Sequence, residues 1–188
     1  MTELSALWLP VLVSAVVVFL ASSVIHMAPL WHRSDYPRLA NEEQVMDALR
    51  PLNLPAGDYF FPRPAPPQSM NSPEFQARMK EGPMAMMTVF PRGVGIGMGR
   101  QMGLWFVFCV IVSLLAGYVA SAGLPPGTPY LRVFQIAGVA AFIGYSVALW
   151  ELSIWYRRAW SMSIKGTIDG LIYGLLTGGV FGWLWPTL

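Results

Sequence analysis

The sequence predicts an all-α integral membrane protein with four transmembrane helices and a Pro/Met-rich cytoplasmic segment containing two short helices. Three observations predict it. Hydrophobic residues make up 55% of the 188 and charged residues only 12%, about half the charged share of an ordinary soluble domain. The apolar residues are gathered into four long runs. Lys and Arg are distributed very unevenly between the connections. At this length the chain is expected to form a single membrane domain, residues 1–188. The net charge of +2 gives no reason to expect nucleic acid as a partner. One cysteine, Cys109, excludes an intramolecular disulfide.

The runs are residues 6–31, 104–124, 132–156 and 169–186. A bilayer core needs about 20 apolar residues of helix, and roughly 17–25 serve. Lipid cannot hydrogen-bond an open strand edge, so helices are the only reading of such runs. The first run lacks the basic n-region of a signal peptide, and it is expected to stay as a span. Eleven of the twelve Lys and Arg fall in residues 32–103 or between the third and fourth runs, and only Arg132 falls on the other side. The excess of basic residues then puts residues 32–103 in the cytoplasm and both termini outside. Trp8, Tyr130, Trp183 and Trp185 sit at one set of ends and Trp31, Trp105, Trp155, Tyr156 and Trp160 at the other, where amphipathic rings anchor to interfaces.

Within residues 32–103, Asn41 followed by Glu42 and Glu43 marks a helix start, and Pro51 its stop. Ser72-Pro73-Glu74 marks a second helix that ends by Gly82-Pro83. Met84 to Phe90 reads as a strand or as an extended membrane-surface segment. Prolines and aromatics fill the remainder. Helices this short are marginal alone, so the segment is expected to pack as an ordered cap on the bundle, the bilayer surface or a partner.

Gly166, Gly170, Gly174, Gly178 and Gly182 recur every four residues through the fourth run and just before it, and Ala140, Gly144 and Ala148 do so in the third. Small residues at this spacing let helix backbones approach closely in lipid. The stripe serves a tightly packed monomer, self-association or docking on another membrane subunit, or a glycine-lined pore, and the expected intrachain partner of the glycines is Ala140, Gly144 and Ala148. A second pattern is a layer of ionisable groups, His26, His32, Glu151 and Asp169, at one depth near the cytoplasmic boundary. Intramembrane ionisable groups are functional or paired. The edge position favours pairing over a proton or metal role, and the spacing matches no metal motif. No metal or other cofactor is expected.

Met70, Met79, Met84, Met86, Met87, Met98 and Met102 crowd one stretch. Thioethers bind Cu(I), but adaptable apolar contact is the more frequent use. The Gly93-to-Gly99 alternation lacks the spacing of a phosphate loop and reads as a hinge. No catalytic constellation is evident in the sequence.

Arg33-Ser34-Asp35-Tyr36-Pro37, the Asn41-to-Pro51 stretch, Pro55-Ala56-Gly57-Asp58-Tyr59, Asp169-Gly170-Leu171-Ile172-Tyr173-Gly174 and Phe181-Gly182-Trp183-Leu184-Trp185-Pro186 resemble a family of small four-helix bacterial inner-membrane proteins. The family has no assigned activity, so the resemblance implies a location, the bacterial inner membrane, and no site residue. The functional expectation is a non-enzymatic accessory, assembly or scaffolding protein, in the bilayer, as a homo-oligomer or in a larger membrane complex. The alternatives are a small oligomeric transporter or channel, or a membrane enzyme using the His/Glu/Asp layer.

Overall fold

The computed structural model describes residues 2–27, 31–64, 66–93 and 97–187. It is mostly helical, and the chain folds as two compact units, Met1–Pro37 with Met98–Leu188, and Arg38–Gly97.

The first unit is a helix bundle. A 3-10 turn, Leu4–Leu7, leads into α1, Trp8–Met27. Three helices are long and apolar enough to cross a membrane: Leu4–Met27, Met98–Gly123 and Tyr130–Ile154. The fourth long helix, Trp160–Trp183, is diluted by its glycines, threonines and Asp169. The helices outrun the apolar runs. The Met98–Gly123 helix begins before residue 104, and the last helix begins nine residues before Asp169. Hydropathy marks the apolar stretch, whereas backbone hydrogen bonding carries a helix on through Arg100 or Lys165. Residues 28–30, the end of the first run, and residues 94–96, the middle of the glycine hinge, lie outside the described residues.

Tyr130–Ile154 is not a uniform helix. It is interrupted by a π-helical turn at Ile143–Val147. A π turn inserts one extra residue and rotates everything after it by roughly 100° relative to a regular helix. Arg157, at φ 55, then reverses the chain, and the Arg158 N–H bonds the Leu152 carbonyl at 3.1 Å.

Small and hydroxylated residues face inward and large apolar ones outward. Ser14, Ser113 and Thr177 are fully buried, while Leu20, Val24, Val107, Ile111, Val139 and Ile143 are exposed. One end of the bundle is tied by backbone carbonyls. Thr2 N–H and Oγ1 both donate to Leu124 O, at 3.0 and 2.8 Å. Gly127 N–H donates to Pro186 O at 2.8 Å and Trp185 Nε1 to Pro125 O at 3.0 Å.

The second unit carries α2, Glu42–Leu49, and α3, Pro73–Glu81. Ser72 caps α3 by accepting the Phe75 N–H at 3.2 Å, and Gly82 at φ 69 ends it. Between and after them run β1, Gly57–Phe61, and β2, Ala85–Val89, paired antiparallel with Tyr59 opposite Met87. This two-stranded sheet corrects the all-α expectation. A strand at residues 85–89 needs a partner for its backbone groups, and the aromatic Asp58-Tyr59-Phe60-Phe61 stretch supplies it. With β1 and β2 so assigned, the remaining long helices are α4, Met98–Gly123, then α5, Tyr130–Phe142, and α6, Leu149–Ile154, on either side of the π turn, and α7, Trp160–Trp183.

Candidate functional site

At the end of the bundle where α1 finishes and α7 begins, ionisable side chains from three places converge. His26 lies on the last turn of α1. Trp31, His32 and Asp35 lie on the turn that follows, where the Asp35 N–H bonds the His32 carbonyl at 3.0 Å. Lys165 and Asp169 stand one helical turn apart on α7 and share a face.

The contacts form a chain. Lys165 Nζ donates to Asp35 Oδ1 at 2.6 Å and to Ser34 Oγ at 3.0 Å. Asp35 Oδ2 is 2.7 Å from His32 Nδ1. His32 Nε2 lies 3.0 Å from Asp169 Oδ2. Trp31 Nε1 donates to Asp169 Oδ1 at 2.9 Å. The His26 and His32 rings stack with centroids 4.4 Å apart and planes 10° from parallel. His26 Nδ1 is 2.9 Å from the Ser22 carbonyl. A carbonyl oxygen only accepts, so this nitrogen carries a proton.

Burial makes these contacts consequential. Asp169 is 4% exposed, and a buried carboxylate needs partners. Burial alone pushes the Asp35 carboxyl up, but the hydrogen bonds and positive charges of Lys165 and His32 outweigh it and hold the carboxyl below its ordinary value. His32 Nε2 is close to Asp169, yet it is buried with no hydrogen bond among the described residues. The distance suits a bond and the ring direction does not.

The structure therefore brings His26, His32 and Asp169 together and leaves Glu151 out. Glu151 is exposed on α6. It follows the π turn, so counting a regular helix inward from residue 132 places it on the wrong face. Asp35, Lys165 and Trp31 belong to the cluster and were not selected from sequence. Two spacings point to Asp35 and Lys165: His32 to Asp35 at i,i+3 and Lys165 to Asp169 at i,i+4.

The glycine stripe of α7 lies against α5 and the turn beyond it. A Cβ on Gly174 would lie 2.9 Å from Gly138 O and 3.0 Å from Phe142 Cβ. One on Gly178 would lie 2.6 Å from Phe134 O and 3.1 Å from Gly138 Cα. Gly182 faces the Tyr130 ring, Gly170 faces Ser146 and Gly166 faces Leu149. The opposing stripe is thus Phe134, Gly138, Phe142 and Ser146, rather than Ala140, Gly144 and Ala148. Gly144 instead faces Val112 of α4, with a Cβ-to-Cγ1 distance of 3.1 Å, and Ala148 is exposed. Residue 138 is two positions from 140, about 200° around a helix. Gly138 also offers bare backbone at the centre of the contact, which an alanine does not.

A cavity of about 350 Å³ borders the cluster between α1 and α4, lined by Phe19, His26, Met27, Met98, Met102 and Trp105 among others. Two methionines of the crowded stretch, Met98 and Met102, reach it; Met70, Met79, Met84, Met86 and Met87 belong to the second unit. Comparison with protein-family models, with curated proteins and with solved structures gave no match.

Proposed function

We propose that this chain is a four-span integral membrane protein of the bacterial inner membrane, with α7 as the fourth span, and that it serves as a non-enzymatic accessory, assembly or scaffolding subunit. The observation that carries the four-span reading is the surface of α7. Its inward face is the glycine seam, and its outward positions Ile164, Ile168, Leu171, Ile172 and Leu175 are exposed. A helix whose packed face is glycine and whose free face is Ile and Leu has the inverted pattern expected with lipid as solvent. Its 24 residues reach about 36 Å at 1.5 Å per residue, enough for the bilayer core. In this reading both termini lie outside, and Arg33, Arg100, Arg157 and Arg158 lie on the cytoplasmic side.

The accessory role is supported by how the ionisable cluster is arranged. Its members bond to one another and clasp the exit of α1 to the start of α7. His26, His32 and Asp35 lie at or beyond the end of α1, and Asp169, nine residues into α7, is buried and bonded by Trp31 rather than open to a transport pathway. The test is gentle solubilisation from native membranes after chemical cross-linking, followed by light scattering and mass spectrometry. A stoichiometric membrane partner or a defined homo-oligomer is the expected result. A strictly monomeric species that conducts an ion or solute in proteoliposomes would replace this reading with the transporter.

A further inference from the structure

We propose that His26, His32 and Asp169 form a binding site for a divalent transition cation of the zinc type, a property that goes beyond the accessory role. One ligand-capable atom from each residue lies within 4.8 Å of the other two. The donor set is two imidazoles and one carboxylate, which suits zinc and its neighbours. Calcium and magnesium favour all-oxygen sets and Cu(I) favours sulfur, so neither matches.

Three features fit a metal better than a hydrogen-bonded pair. The first is the unsatisfied His32 Nε2. It is buried, 3.0 Å from Asp169 Oδ2, and forms no hydrogen bond among the described residues. Zinc bonds of about 2.1 Å in a tetrahedral site put ligand atoms about 3.4 Å apart. These two atoms are therefore already near the spacing of ligands on one ion.

The second is the outer shell. Metal-binding histidines donate their other ring N–H to a carbonyl or carboxylate, which fixes the tautomer and the ring. His26 Nδ1 meets the Ser22 carbonyl at 2.9 Å and His32 Nδ1 meets Asp35 at 2.7 Å. Asp35 is held in turn by Lys165, and the other oxygen of Asp169 is held by Trp31 Nε1 at 2.9 Å. Each proposed ligand thus has one polar atom engaged outside the cluster.

The third is charge. Metal ligation needs neutral imidazoles. Lys165 balances Asp35, and a cation held by neutral imidazoles would balance Asp169 in place of a protonated His32. His26 is the exposed member, on the cavity side. Its ring is stacked on His32 in this structure, so metal binding requires it to turn until its lone pair meets the same ion as His32 Nε2, with a fourth position then open to water.

The experiment uses the full chain in detergent, stripped with a chelator, and titrated with Zn²⁺ by calorimetry and with Co²⁺ by visible absorption. The expected result is about one Zn²⁺ per chain and a Co²⁺ d–d band that Zn²⁺ bleaches. His26→Ala and His32→Ala should each weaken uptake about 100-fold or more, beyond the loss from an outer-shell change. Glu151→Gln should leave it unchanged. His26 is exposed, so its variant stays folded and the comparison holds even if changes at Asp169 prevent folding. A folded wild-type chain that takes up no Zn²⁺, or one whose uptake is unaltered in both histidine variants, overturns the site. Either result is independent of whether a protein partner is found.

Discussion

Lys165 of α7 and Asp35 of the turn after α1 are joined by a 2.6 Å ion pair whose side chains are only 17% and 10% exposed. The pair fixes the far end of His32, and through it the orientation of the ring that faces Asp169. Removing one member of a buried pair strands the other, which costs more than the pair contributes. Lys165→Met is therefore expected to destabilise the fold by about 3 kcal/mol. Adding Asp35→Asn should recover part of that loss. Thermal unfolding of the two variants in the same detergent checks the order.

Asp35→Asn alone keeps the shape of the side chain and removes its charge. As an outer-shell change at His32, it is expected to weaken Zn²⁺ binding by about 10–100-fold without changing the stoichiometry. Competition against a chelating dye measures this. Unchanged affinity would detach Asp35 from the proposed site.

Gly174→Leu drives a side chain into the Gly138 carbonyl and Phe142. Overpacking of this kind costs about 1–3 kcal/mol or more, and the contact is with backbone, which cannot swing aside. Leu175 is exposed, so Leu175→Ala should stay within about 0.5 kcal/mol of wild type. Size-exclusion profiles after a heating series should separate them. If the leucine variant folds normally but loses an oligomer, the stripe is an intermolecular seam.

Phe75 is 8% exposed and is, among the described residues, the buried large apolar side chain of the 38–97 unit. Phe75→Ala should cost that unit about 3 kcal/mol. Tryptic cleavage at Arg78 and Lys80 in the full chain should speed up, while the bundle stays resistant.

How much of this was legible in sequence differs by element. The three longest apolar helices follow from run length, because each is a near-unbroken apolar stretch. The two short helices follow from Asn41 with its acidic turn and from Ser72-Pro73. β1 did not follow, since its partner lies beyond α3 and prolines flank it. The glycine stripe was visible, but its opposing face was not, because small residues at 140, 144 and 148 outnumber the single Gly138 that makes the contact. The His26, His32 and Asp169 grouping was visible as a common depth. Glu151 was misplaced by the π turn, which no local pattern in Ile143–Val147 announces.

A fourth span formed by α7 beside α5 puts Ser161 and Thr187 on opposite sides of the bilayer. In a Cys109→Ser background, single cysteines at these two positions can be labelled in intact cells with a membrane-impermeant maleimide. The expected result is labelling at position 187 in intact cells and at position 161 only after permeabilisation. Equal labelling of both positions in intact cells, or of neither until permeabilisation, would place the two ends of α7 on one side and contradict it.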